Sequence, residues 1–142
     1  MKQRTQARSL ALQALYEYDL SGHPVGEALQ HRLEEHRLGD KYAAFALQIV
    51  QGVHQWREKL DFFIAQYAPE WPLEQVAPID RNLLRIALWE MVIHDDTPTK
   101  VAINEAVELA KHFGSDSTPR FVNGVLGTLT EHLSEIKQQL GR

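Results

Sequence analysis

The sequence has no cysteine. That excludes a disulfide framework, thiolate metal sites and a cysteine nucleophile, and it suits a reducing compartment, the cytoplasm. Long apolar runs are missing too. Hydrophobic stretches are short and interrupted, which leaves nothing to span a membrane, and no apolar segment of signal-peptide type follows Met1-Lys2-Gln3-Arg4. Positive charge is not in excess: 15 Lys and Arg stand against 19 Asp and Glu, for a net −4. Such a total argues against nonspecific coating of nucleic acid, although not against one local anion-binding patch. What remains is 142 residues with 44% hydrophobic and 24% charged positions. That is an ordinary soluble composition for one compact domain or two small bundles fused back to back.

The charge is unevenly placed. Residues 1–16 hold Lys2, Arg4 and Arg8 and no acid, so the rest of the chain stands at −7. The apolar pattern is helical throughout, and no segment reads as a strand. From Thr5 to Leu20, Leu10, Ala14 and Tyr18 recur with Ala7, Ala11 and Leu15 at three- and four-residue steps, until Ser21-Gly22-His23-Pro24 stops them. A second helix is predicted over roughly 25–37. Asp40 is read as the N-cap of a long third helix, with Ala44, Leu47, Val50, Val53, Leu60, Phe63, Ile64 and Tyr67 on its inner side. Ala68-Pro69-Glu70-Trp71-Pro72 breaks that helix and is the expected join between sub-bundles of about 1–68 and 72–142. Pro78-Ile79-Asp80 starts a helix that is apolar over most of its circumference and runs to about His94. Another spans 100–113 and ends at Gly114. Ser117-Thr118-Pro119 then opens a last helix with Val122, Leu126, Leu129, Leu133, Ile136 and Leu140 in four-three alternation.

No catalytic constellation stands out. His31 and His36 are five apart, about 140° around a helix, and do not make an i,i+4 metal pair; no metal or cofactor is implied. Gly124 and Gly127 sit inside a helical pattern with no preceding strand, so they are no phosphate loop. Helix packing is the preferred reason for them, ahead of close approach by a ligand. Glu90 falls within an apolar arc. It is read as a structural carboxylate accepting N–H groups from the start of another helix, rather than as a general acid.

Three basic features remain. Arg4 and Arg8 share a helix face, in a first turn where cations oppose the helix dipole. They form either a frayed, solvated terminus or, with Lys2, a phosphate-binding arm that orders on RNA or DNA. Arg120 and Phe121 follow the cap of the last helix. Free N–H groups, a guanidinium and a ring together suit a phosphate plus an unpaired base, unless Phe121 enters the core. Arg81, Arg85 and Trp89 form a third stripe, in which Arg85 stacking on Trp89 requires no ligand.

Three blocks of sequence carry a resemblance. They are Arg4-Thr5-Gln6-Ala7-Arg8-Ser9-Leu10-Ala11-Leu12-Gln13-Ala14-Leu15-Tyr16, Ile79-Asp80-Arg81-Asn82-Leu83-Leu84-Arg85-Ile86-Ala87-Leu88-Trp89-Glu90, and Lys100-Val101-Ala102-Ile103-Asn104-Glu105-Ala106-Val107-Glu108-Leu109-Ala110-Lys111 followed by Phe121-Val122-Asn123-Gly124-Val125-Leu126. In this order they resemble the NusB family of bacterial transcription antitermination factors. The resemblance implies an all-α fold of about seven helices in two small packed bundles. It also implies a non-enzymatic role: binding the boxA element of nascent ribosomal RNA, as single strand, together with the ribosomal protein NusE, within an RNA polymerase antitermination complex. By position, Lys2, Arg4 and Arg8, with Arg120 and Phe121, inherit the RNA contacts. Asp80, with Arg81 and Asn82, inherits the face that receives NusE. A homodimer is possible in such a family.

Departures from the family pattern bear on affinity. Thr5-Gln6 interrupts the arginine run, Pro119 replaces a basic or polar residue, and no lysine-rich tail follows Leu140. Each removes phosphate contacts and flattens the salt dependence. Two other roles are weighed. The same helical domain precedes ribosomal RNA cytosine methyltransferases, but that activity needs a second domain and a cysteine nucleophile, so it fits only a piece of a longer chain. A protein-only scaffold with a merely solvated basic terminus is the third reading.

Overall fold

Gly22 takes the left-handed conformation (φ 74°) at the end of the first helix, as its place before His23-Pro24 requires, and its N–H closes on the Tyr18 carbonyl. That helix opens a computed structural model describing residues 1–70 and 72–141; Trp71 of the expected join, and Arg142, lie outside the described residues. Seven α-helices follow in order: α1 (Gln3–Ser21), α2 (Val25–Glu35), α3 (Asp40–Tyr67), α4 (Pro78–Trp89), α5 (Thr99–Phe113), α6 (Thr118–Thr130) and α7 (Leu133–Gln139). A 3-10 turn covers Leu73–Gln75, and no strand occurs among the described residues. The all-α expectation therefore holds, and no described helix is long and apolar enough to cross a membrane.

Contacts divide the chain within α3, into a unit of Met1–Gln55 and a unit of Trp56–Arg142, rather than at the proline-rich break after Tyr67. In the first unit α1 packs on α2. α1 is buried without interruption from Ala7 through Leu12, including Arg8 and Ser9, which explains why both of its candidate apolar stripes looked plausible. The inner face of α3 holds the expected Val50, Val53, Leu60, Phe63 and Ile64 but differs from expectation near its start. Phe45, Ala46, Ile49, Val50 and Val53 are buried, whereas Ala44 is exposed and Leu47 is 41% exposed. Two apolar stripes run through residues 44–53, and the one that buries the phenylalanine removes more apolar surface from water. Asp40 lies within the first turn of α3, where Gly39 supplies the carbonyl that accepts the Tyr42 and Ala43 N–H groups.

In the second unit α4 packs against both α5 and α6. Leu83, Leu84, Ile86, Ala87, Leu88 and Trp89 are all buried, so this helix is the core. The expected α-helix to His94 gives way after Trp89 to a π-helical turn, Glu90–His94, closed by the Asp95 N–H on the Glu90 carbonyl. Asp95 then adopts φ 52°, the only non-glycine residue with positive φ among those described. Glu90 is 1% exposed and accepts the Thr97 hydroxyl at 3.0 Å, a side-chain partner just ahead of α5.

The last helix is two helices. The Thr128 and Thr130 hydroxyls bond back to the Gly124 and Leu126 carbonyls, and the Glu131 and His132 N–H groups fall back to the Thr128 and Leu129 carbonyls. Such back-bonding and tightened turns bend and end a helix even where the apolar period continues. The glycine expectation also fails: a Cβ built at Gly124 or Gly127 would meet no neighbouring helix within 4 Å, and both face outward from α6.

α7 is anchored by fully buried Ile136, by Lys137 to Asp95 at 3.2 Å, and by a cluster at the end of α3. There the Tyr67 hydroxyl donates to Glu135 at 3.0 Å, His132 stacks on the Tyr67 ring and reaches Glu135, and Gln139 donates to Tyr67. Hydrogen bonds from His132 and Tyr67 hold the Glu135 carboxyl below its ordinary value, while desolvation and then Glu135 raise the Tyr67 phenol. A depressed carboxyl stabilises the fold above its ordinary pKa and loses that effect as pH falls through its folded value. Amide exchange in α7 is therefore expected to accelerate below about pH 4 ahead of α4; equal acceleration throughout the unit would count against the anchor.

Candidate nucleic-acid interface

The two units carry different charge. Met1–Gln55 holds six Lys and Arg against six Asp and Glu, and Trp56–Arg142 holds nine against thirteen, so the whole −4 belongs to the second unit.

In the first unit the amino terminus is not frayed. Helix α1 starts at Gln3, with exposed Lys2 before it in extended conformation and its carbonyl accepting the Gln6 N–H. No acid occupies the first turn. Arg4 is exposed, with its guanidinium carbon 4.2 Å from the centroid of the Phe45 ring. Arg8 shares the ring at 5.1 Å but is only 2% exposed. The pair predicted from i,i+4 spacing is thus real as geometry but divided in role. Arg4 presents charge to solvent, and Arg8 is a buried cation packed against the same ring. Phe45 is the residue missed by the sequence reading; its signal was a ring four positions before Ile49 on the stripe that is actually buried.

In the second unit Ser117 precedes α6 with φ −89° and ψ −13° and gives no side-chain cap, and Pro119 sits in the first turn. The helix start is fixed by Thr118 instead. Its buried hydroxyl accepts the Ser115 N–H at 3.0 Å and donates to the Asp80 carboxylate at 3.0 Å. Gly114 backs directly onto the Thr118 side chain, leaving no room for a Cβ. Asp80, half-buried in the first turn of α4, therefore positions the start of α6. Exposed Arg120 and half-exposed Phe121 line an open groove of about 570 Å³ together with Asp80, Glu70, Gly124 and Thr128. Phe121 does not enter the core.

The remaining candidates are more internal than expected. Asn82 is 1% exposed, donates to the Pro78 carbonyl and accepts from Arg85 at 3.2 Å, so it does not offer its amide to a partner directly. Arg85 does not stack on Trp89. It grips Asp61 through Nε and Nη2 at 2.7 and 2.8 Å, and Trp89 stacks on His94 instead. Half-buried Arg81 donates to the Leu73 carbonyl at 3.3 Å and lines a second groove with Asp61 and Arg85. Of the three residues expected to face a partner, Asp80 lines the groove of Arg120 and Phe121, Arg81 lines the second groove, and Asn82 is buried. Among the described residues, no cluster of three or more His, Asp or Glu is placed to hold a metal.

Comparison with known proteins matches this arrangement to one family. The NusB family model covers residues 5–131. The transcription antitermination protein NusB of Dehalococcoides mccartyi is 44% identical over 96% of this chain and 95% of its own. That of Bacillus subtilis is 42% identical over 95% and 99%. A solved NusB, crystallised with NusE and double-stranded RNA, superposes with a TM-score of 0.81 at 25% identity, covering 98% of both chains.

Proposed function

The chain belongs to the NusB family, whose matching relatives are transcription antitermination proteins, and on that premise we propose that it is a non-enzymatic RNA-binding antitermination factor of the cytoplasm. It takes the boxA element of nascent ribosomal RNA jointly with NusE and joins them to RNA polymerase. The observation that carries this reading is the start of α6. There the exposed guanidinium of Arg120 and the half-exposed ring of Phe121 border one open groove. The cation suits a phosphate, and the ring suits an unpaired base. The solved relative bound to NusE and RNA supports the choice of both partners.

Lys2 and Arg4 add phosphate contacts from the first unit, with Arg8 holding the Phe45 ring beneath Arg4. Asp80 and Arg81 serve the NusE side, and the −4 of the second unit attracts a basic ribosomal protein. A homodimer would compete with these contacts.

Few phosphates are neutralised, so binding to RNA alone is expected to be weak, with a shallow salt dependence of about −0.7 in log affinity per phosphate contacted on a single strand. Adding NusE is expected to tighten it. Titrating boxA RNA, single-stranded and as a duplex, across a salt series with and without NusE checks both. Equal affinities with and without NusE, or a preference for duplex, would sink the joint single-strand reading.

A further inference from the structure

The basic surface of the first unit does not end at the amino terminus. The connection between α2 and α3 runs beside the first turn of α1. Gln3 accepts the Gly39 N–H at 2.8 Å through Oε1, and Gln6 reaches the His36 ring at 3.5 Å. A Cβ at Gly39 would lie 3.4 Å from both Gln3 Oε1 and the Tyr42 ring, so the bare glycine lets the connection pass close to both. Lys41 is exposed, with its ammonium 5.1 Å from the centroid of the half-exposed Tyr42 ring. Three residues on, Phe45 carries Arg4 and Arg8 in the same way. Tyr42 and Phe45 share a face of α3, so the seam between α1 and α3 presents successive rings with cations laid over them. Across Met1–Arg8 and His36–Tyr42 there are five Lys and Arg (Lys2, Arg4, Arg8, Arg37 and Lys41) and one acid, Asp40. Arg37 and His36 are exposed as well.

We propose that Tyr42, with Lys41 over its ring, is a nucleotide subsite that stacks one unpaired base and extends the RNA footprint onto the α2–α3 connection, where Arg37 is exposed. The chemistry selects RNA over a protein partner. Exposed cations with a single carboxylate among them suit a run of phosphates, and a half-exposed ring beside the bare backbone of Gly39 keeps area for a planar base. A cation already lying on the ring is pre-ordered, so little side-chain freedom is lost when it meets a phosphate.

This inference rests on the RNA-binding reading, and the test separates the two. Affinity of the full chain is measured for single-stranded RNAs lengthened one nucleotide at a time, with a fluorescent adenine analogue moved along the strand. Wild type is expected to gain affinity in one discrete step when an added nucleotide reaches Tyr42, with quenching of the analogue at that position. Tyr42→Ala is expected to abolish that step, a loss of about five- to hundredfold, whereas Tyr42→Phe keeps it. Lys41→Ala is expected to lower the salt slope by about one phosphate contact. Circular dichroism melting of Tyr42→Ala checks folding, and Tyr42→Phe keeps the test valid if alanine unfolds the helix start.

If wild type binds no RNA, the functional reading itself fails. If wild type binds and Phe121→Ala weakens it, while Tyr42→Ala leaves affinity, step length and quenching unchanged, only the subsite is overturned. Loss of NusE binding in Tyr42→Ala with intact RNA binding would likewise overturn it, reassigning the patch to a protein.

Discussion

Asp61→Ala is expected to lower the unfolding free energy by about 3 kcal/mol, a fall of roughly 10 °C in melting temperature for a chain of this size. Arg85 is 6% exposed, and its guanidinium spends Nε and Nη2 on the two Asp61 oxygens and Nη1 on Asn82. Removing the carboxylate takes two charge-assisted hydrogen bonds away from a buried cation. The Asp61 side chain is 30% exposed, so water reaches its end of the pair and keeps the loss at the lower end of the range for a broken buried pair. Asp61→Asn, which keeps one acceptor, should lose less. Combining Asp61→Ala with Arg85→Met should recover much of the stability, because the buried charge is then removed together with its carboxylate. Thermal and urea unfolding of the four proteins decide it; an unchanged midpoint in Asp61→Ala would show that the pair contributes nothing.

The largest functional effect is expected at Phe121. Replacing it with alanine should weaken RNA binding by about five- to hundredfold, the range for losing one stacked base. Melting should change little, because the ring lies at a groove and not in the core. Phe121→Leu separates two ways of producing that result. Leucine keeps an apolar lining for the groove but offers no π face, so stacking predicts a loss close to that of alanine, whereas simple groove filling predicts near-normal affinity. Arg120→Ala should act differently. It should weaken all RNA sequences alike and reduce the salt slope by about one phosphate contact, while Phe121→Ala reduces preference among sequences. If Arg120→Ala changed sequence preference and Phe121→Ala changed the salt slope, these roles would be reversed.

The parts of this architecture readable in the sequence were those set by local chemistry. Gly22 before His23-Pro24, Pro78 at the start of α4 and Pro119 in the first turn of α6 act within a few residues of themselves, and each marks an observed helix end. The failures came where a distant neighbour decided. Residues 44–53 carry two apolar stripes, and choosing between them required knowing that Phe45 lies under Arg4 and Arg8. The partner of Arg85 is Asp61, 24 positions away, not Trp89 at the attractive four-residue spacing. An unbroken period from Val122 to Leu140 concealed the break at Glu131 and His132, because a helix can end without losing phase. The π turn after Trp89 likewise leaves no mark in composition. For the candidate site, the residue types at the start of α6 were legible, and the structure sets Arg120 and Phe121 on one groove. Burial then divided Arg4 from Arg8, and Asp80 from Asn82, which no single sequence could do.

The outward glycines of α6 have a kinetic meaning beyond the helix stability they give up. Gly124 and Gly127 have no side chain to immobilise, so a molecule settling against that strip freezes no rotamers there and displaces only water from bare backbone. The strip adjoins the groove of Arg120 and Phe121. For the RNA proposed to bind in that groove, a strip without side chains is expected to lower the orientational demand on a first encounter, before the guanidinium and the ring engage. Bulkier residues at those positions would make every approach a fit-or-miss event, and the difference would appear in association rates more than in how long the complex lasts.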